Sequence, residues 1–205
     1  MIHRFVPGAP GVNRVVLLLH GTGGDENDLL PLGQQLVPGA ALLSPRGQVL
    51  ENGMPRFFRR IAEGVFDLDD LKMRTEELGG FIRASAARYG FAVENLVALG
   101  YSNGANIASS LLLTHPELML GAALLRPMVP FVPATLPNLE GKRALVAAGK
   151  NDPIVPLGQS SQLADLLRAS GAEVTIQLSP GGHGLTQQDL DVTGAWLREG
   201  AVTQP

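Results

Sequence analysis

The stretch that most constrains the fold is Val97-Ala98-Leu99-Gly100-Tyr101-Ser102-Asn103-Gly104, an apolar run that ends in Gly-x-Ser-x-Gly. Ala105, Ile107, Ala108, Leu111 and Leu112 follow, a set compatible with a helix. A strand that turns straight into a helix with a serine at the apex needs neighbours without bulk, and Gly100 and Gly104 meet that need. The turn lifts the Ser102 hydroxyl off the sheet edge and aims a helix N-terminus at whatever sits there, such as a tetrahedral oxyanion. Taken alone, the pentapeptide also fits a glycine-rich turn with a solvated serine, since the chain holds 25 glycines. The rest of the sequence decides between the two.

Strand-like and helix-like stretches alternate along the chain. Arg14 to His20 is a continuous run of leucine and valine, the pattern of a strand buried on both faces. Gly21-Thr22-Gly23-Gly24 turns it towards a helix ending near Leu36, for which Asp25 or Asn27 is a candidate cap. Further buried strands are expected over 40–43, 121–125 and 144–148, and strands also over 97–101 and 173–178. Helices are expected over 67–89, 103–114, 157–170 and 187–199. The segment from Asn52 to Arg60 reads as a loop, and the proline-rich segment from Pro127 to Pro137 as a loop or lid. No linker divides the 205 residues. The pattern predicts one α/β domain over 1–205, a mostly parallel central sheet with helices on both faces.

In such a sheet, ligands bind where loops converge beyond the carboxyl ends of the strands. Ser102 follows one predicted strand, Asp152 another and His183 a third. A serine hydroxyl is a poor nucleophile until an imidazole takes its proton, and His183 is the candidate base. Asp152 would hold the other ring nitrogen and offset the charge that forms. The backbone N–H groups of Thr22 and Asn103 are the candidate oxyanion donors. The base is chosen from four histidines. His115 precedes a proline at a helix end, and His3 has no motif around it. His20 is the rival, read as holding the glycine-rich turn. Asp165, Asp189 and Asp191 compete with Asp152 but fall on predicted helices, whereas a loop position suits the role better. The acidic run from Asp25 to Asp28 lacks the pattern of a calcium loop and reads as capping or solvation.

Bulk properties remove other classes. The net charge is −3 with no basic run, which argues against nucleic acid or an anionic membrane surface as a partner. There is no cysteine, hence no disulfide, thiolate zinc site or cysteine nucleophile. The opening Met1-Ile2-His3-Arg4-Phe5 is unlike a signal peptide, and the longest apolar run, Val15 to Leu19, is too short to span a bilayer. A cytoplasmic protein without membrane insertion is the expectation.

Four motifs, His20-Gly21-Thr22-Gly23-Gly24, Gly100-Tyr101-Ser102-Asn103-Gly104, Asn151-Asp152-Pro153 and Gly182-His183-Gly184, together resemble the phospholipase/carboxylesterase family of α/β-hydrolases, which includes acyl-protein thioesterases. The likeness extends over nearly the whole chain. Glu26-Asn27-Asp28-Leu29 and the stretch from Asn52 to Arg60 are closer to a bacterial carboxylesterase branch of the family. The resemblance implies an α/β-hydrolase fold without a large lid domain, a Ser102–Asp152–His183 triad, Thr22 and Asn103 at the oxyanion hole, and no cofactor. Two departures stand out. Phe57-Phe58 occurs where eukaryotic thioesterases carry a tryptophan-phenylalanine pair, and Arg126-Pro127-Met128 where they have small residues.

The substrate group needs an apolar wall, for which Phe57, Phe58, Met128, Phe131 and Leu185 are candidates. Phe57 and Phe58 could equally seal the core under a loop. Arg56, Arg59 and Arg60 read either as selecting an anionic group or as solvated surface, and Arg46 and Arg59 as holding loops. The expected activity is serine carboxylesterase action on small soluble esters. A thioesterase, lysophospholipase or peptidase on the same triad, and a non-catalytic ligand-binding hydrolase fold, are the alternatives. A homodimer through the proline-rich segment is a further expectation.

Overall fold

The computed structural model describes residues 1–199. Its elements in chain order are β1 (His3–Val6), β2 (Val15–Leu19), α1 (Leu30–Leu36), β3 (Ala41–Pro45), β4 (Val49–Glu51), β5 (Met54–Arg56), β6 (Arg60–Ala62) and β7 (Val65–Phe66). Then follow α2 (Leu68–Tyr89), β8 (Leu96–Tyr101), α3 (Asn103–Thr114), β9 (Gly121–Leu125), β10 (Arg143–Gly149), α4 (Leu157–Ala169), β11 (Glu173–Ser179) and α5 (Gln187–Glu199). A seven-stranded sheet runs in the order β1-β3-β2-β8-β9-β10-β11, parallel except for the antiparallel edge pair of β1 with β3. This is the α/β-hydrolase arrangement, without a large lid.

Why β2 lacks polar alternation is visible in the packing. Val15, Leu17 and Leu19 face a layer built from α2, α3 and α4, where Leu71, Leu78, Ile82, Leu111, Leu163 and Leu167 are buried. Val16 and Leu18 face the opposite layer, with Leu36 of α1 and Trp196 and Leu197 of α5. Both faces are covered, so every position of the strand must be apolar. The longest helix, α2, is framed by local chemistry. The Asp67 side chain accepts from the Asp70 N–H at its start, and Gly90 closes it in the left-handed region at φ 70°.

Two expectations are corrected and one strand is added. The turn after β2 does not open into a helix at Asp25. The Asp25 carboxylate instead accepts from the Asn27 N–H at 2.8 Å, a local turn, and the helix waits until Leu30, where Pro31 pre-sets its first turn. The stretch from Asn52 to Arg60 is largely built into hairpins, with only 57–59 outside turn and strand. Asn52 and Gly53, at φ 52° and 81°, form the two-residue turn of the β4–β5 hairpin, and a second hairpin, β6–β7, turns at Gly64. The edge strand β1 is an addition, anchored by Phe5, which stacks on Tyr89 at 4.0 Å between ring centres.

Among the described glycines, the closest backbone approach is at the joint between β8 and α3. A Cβ on Gly104 would sit 1.9 Å from the carbonyl oxygen of Leu19, and one on Gly100 would sit 2.5 Å from that of Gly104. Both contacts are with backbone, which cannot step aside. Gly104→Ala is therefore expected to lower the unfolding free energy by at least about 2–3 kcal/mol, as overpacking does. Urea denaturation would check it, and an alanine variant of unchanged midpoint would contradict the packing described.

Candidate active site

The joint places Ser102 at φ 51° and ψ −113°, a conformation that non-glycine residues rarely adopt. It is held on both sides: the Ser102 N–H donates to the Leu125 carbonyl at 2.8 Å, and the Ser102 carbonyl accepts from Asn106 at 3.0 Å. The side chain therefore projects from the carboxyl edge of the sheet at the N-terminus of α3, where that helix's end charge favours an anion.

Asp152 and His183 reach the same edge from the loops after β10 and β11. Those loops are stitched together by backbone. Lys150 N–H donates to Ser179, Asn151 N–H to Gly181, and a Cβ on Gly149 would collide with the Gly182 carbonyl at 2.3 Å. His183 Nδ1 lies 2.8 Å from Asp152 Oδ2, and His183 Nε2 lies 3.0 Å from Ser102 Oγ. The other Asp152 oxygen accepts from the N–H groups of Ile154 and Val155 at 2.8 and 3.0 Å. Burial pushes the Asp152 carboxyl upward, but the bonds from Val155, His183 and Ile154 outweigh it and leave it below the usual carboxylate range. An ionised Asp152 can only accept, so the proton of the neutral ring belongs on Nδ1. Nε2 is left with a lone pair facing the serine hydroxyl.

The rivals are otherwise engaged. His20 donates from Nδ1 to the Gly21 carbonyl at 2.7 Å and accepts at Nε2 from the Gly47 N–H at 3.0 Å. Burial pulls its pKa down, so it holds the glycine-rich turn as a neutral ring. His3 contacts the Tyr89 hydroxyl, and His115 lies between Glu76 and Glu117. Asp189 is fully buried against Arg126 at 2.6 Å.

Thr22 and Asn103 line the same cleft as Ser102. No backbone carbonyl among the described residues takes the N–H of either. The β4–β5 hairpin and the residue after it brace this wall. Arg56 donates to Thr22 Oγ1 at 2.8 Å, the Pro55 carbonyl accepts from Gly23, and the Phe57 N–H donates to Asn103 Oδ1 at 2.8 Å.

The cleft is shallow and open, about 380 Å³ with the adjoining solvent space counted in. Of the five candidates for its apolar wall, Met128 lines it. Phe57 and Phe58 do not: they are 3 % and 0 % exposed and belong to the core, with Phe58 edge-on to Phe66 at 5.1 Å. Burying a whole ring under α2 removes more apolar surface from water than lining an open cleft would. Phe131 and Leu185 likewise pack against the cores on the two faces of the sheet. The apolar wall is completed by Phe66, Ile154 and Val155. Ile154 and Val155 follow Asp152-Pro153 directly, a signal that could have found them; Phe66 carried none. The arginines are paired. Arg56 and Arg60 share Glu51 at 3.1 and 2.8 Å, Arg59 meets Asp67 at 3.1 Å, and Arg46 grips Glu26 at 2.5 Å.

No family model matches the chain. It is 48% identical to the protein MhqD of Bacillus subtilis (strain 168) over 190 residues, covering 93% of this chain and 95% of that one. A carboxylesterase from Bacillus cereus is 48% identical, with 98% of this chain and 94% of that one aligned at a TM-score of 0.94. A carboxylesterase from Mesorhizobium loti is 36% identical over 91% and 88% of the two chains, at a TM-score of 0.84.

The carboxylates set an acid limit on stability. Asp152 and Asp189 both titrate lower in the folded chain than unfolded, Asp189 because Arg126 and Thr186 outweigh its burial. The unfolded chain then binds more protons at acid pH. Their stabilisation is full above the ordinary carboxylate pKa, about 4, and is lost as pH falls through the depressed folded values. Urea midpoints should fall between pH 6 and pH 3, and by less in Asp152→Asn than in the parent. An equal fall in both would contradict the assignment for Asp152.

Proposed function

The chain belongs to the phospholipase/carboxylesterase family of α/β-hydrolases and is a carboxylic ester hydrolase, and on that premise we propose that it cleaves small water-soluble esters through an acyl-enzyme on Ser102. The observation that supports this reading is the unbroken line from Asp152 through His183 to Ser102, with bonds of 2.8 and 3.0 Å. Ser102 Oγ attacks the ester carbonyl carbon while its proton passes to His183 Nε2. Asp152 keeps the ring oriented and offsets the charge of the imidazolium. The carbonyl oxygen becomes an oxyanion beside the N–H groups of Thr22 and Asn103. Collapse of the tetrahedral species breaks the bond to the alkoxy oxygen, which leaves as alcohol with the proton from His183. Water, deprotonated by the same nitrogen, then releases the carboxylic acid and restores Ser102.

The cleft argues for short acyl groups. Its apolar wall is confined to Phe66, Met128, Ile154 and Val155, and apart from Gly64 the other lining side chains are polar or charged. No helix among the described residues is long and apolar enough to cross a membrane. One catalytic domain over 1–205, a cytoplasmic setting and a second copy meeting the segment 127–137 belong to the same proposal.

Ser102→Ala and His183→Ala should each lower kcat on p-nitrophenyl acetate by at least about 1000-fold, and a fluorophosphonate probe should label the parent but not Ser102→Ala. Turnover that survives in Ser102→Ala would sink the acyl-enzyme. Across p-nitrophenyl esters, kcat/KM should decline once the acyl chain outgrows the apolar wall.

A further inference from the structure

A histidine flanked by glycines cannot be held in place by its neighbours' side chains, yet His183 stands in line between two partners. Gly181, Gly182 and Gly184 give this loop wide backbone freedom, which must be removed if the imidazole is to face Ser102 without a search. The restraint comes from the end of β9. Arg126 is fully buried and its guanidinium spans the loop, donating from Nε to the Gly182 carbonyl at 2.9 Å and from one terminal nitrogen to the Gly184 carbonyl at 3.1 Å. The carbonyl between them, that of His183, accepts from the Tyr101 hydroxyl at 3.1 Å. Three consecutive carbonyls around the base are thus each fixed by a side chain.

The guanidinium is itself anchored. It pairs with Asp189 at 2.6 and 3.3 Å and donates to the Ala147 carbonyl at 3.2 Å, on the strand that leads to Asp152. Asp189 lies in the first turn of α5 and accepts from both the N–H and the hydroxyl of Thr186 at 2.8 Å, tying the far end of the loop. Ser102 donates its N–H to Leu125, the residue before Arg126. The Arg126 side chain therefore links the strand that leads to the acid with the loop that carries the base, and the backbone just before it holds the nucleophile. The Arg126 backbone lies in the left-handed region at φ 58°, which glycine would occupy without penalty. A large charged residue kept there points to a task for the side chain.

We propose that Arg126, held by Asp189, is a positioning residue for ester hydrolysis: it clamps the carbonyls on both sides of His183 and so aligns the imidazole between Asp152 and Ser102. The proposal rests on the Ser102 acyl-enzyme reading, and its test keeps the two apart. Arg126→Lys retains the charge and the pair with Asp189, but a single ammonium cannot span both carbonyls as the planar fork does. The double variant Arg126→Met/Asp189→Asn removes both charges, so that neither is stranded in the interior. Each is measured beside the parent and Ser102→Ala for melting temperature, for kcat and KM on p-nitrophenyl acetate per titratable serine, and for the rate of fluorophosphonate labelling.

Misplacement of a reacting group by about 1 Å costs on the order of 100-fold in rate. The double variant should therefore lose about 100-fold in kcat and Arg126→Lys about 10-fold, with KM within roughly threefold and labelling slowed in parallel. A folded variant of either kind whose kcat and labelling rate stay within about twofold of the parent overturns the proposal, whatever its melting temperature, and leaves the pair a purely stabilising one. Activity persisting in Ser102→Ala would instead strike the acyl-enzyme reading itself.

Discussion

The contact on which the rest depends is backbone against backbone: Gly104 lying on the last carbonyl of β2. With no side chain between them, the first turn of α3 sits directly over the neighbouring strand. Ser102 is then forced into its unusual backbone conformation and out beyond the sheet edge. The apolar layers on both faces of β2 supply the cohesion that holds this joint closed. The strain at Ser102 and the strain at Arg126 sit one strand apart, bridged by the bond from Ser102 to Leu125. Both are tolerated because the surrounding parallel strands leave the backbone no other course.

From that joint outward, the site is assembled from loops that brace one another more than they lean on the core. The acid loop donates two backbone bonds to the base loop and the strand end before it, and the turn that carries Thr22 is tied to the β4–β5 hairpin. Charges in this region are consumed internally. Two arginines divide one carboxylate at Glu51, and Arg126 and Asp189 neutralise each other out of contact with water.

Much of this was legible in the sequence wherever local chemistry decides the outcome. Helices α3 and α5 and strand β9 occupy the spans that periodicity and capping signals indicate. The order of serine, aspartate and histidine, each just past a strand end, led to side chains that meet at hydrogen-bonding distance. What escaped were features set by partners far away in the chain. Strand β1 is too short to announce itself and exists because β3 and Tyr89 receive it. Phe57 and Phe58 look like cleft residues until their depth is known, since an aromatic pair on a loop reads alike from either side. The Asn52-Gly53 turn, by contrast, carries a local hairpin signal in its residue types. Arg126 showed only as an oddity, because its partners lie 21 to 63 positions further on.

The β6–β7 hairpin shares no strand with the central sheet, yet Arg60, Glu63, Gly64 and Phe66 all face the cleft. One side of the entrance is therefore carried by a hairpin outside the sheet, held by its two ends, by Phe66 against Phe58 and by Arg60 on Glu51. Residues there can be exchanged without disturbing the elbow, the acid or the base. A scaffold partitioned in this way can retune which molecules it admits while its reactive core stays as it was.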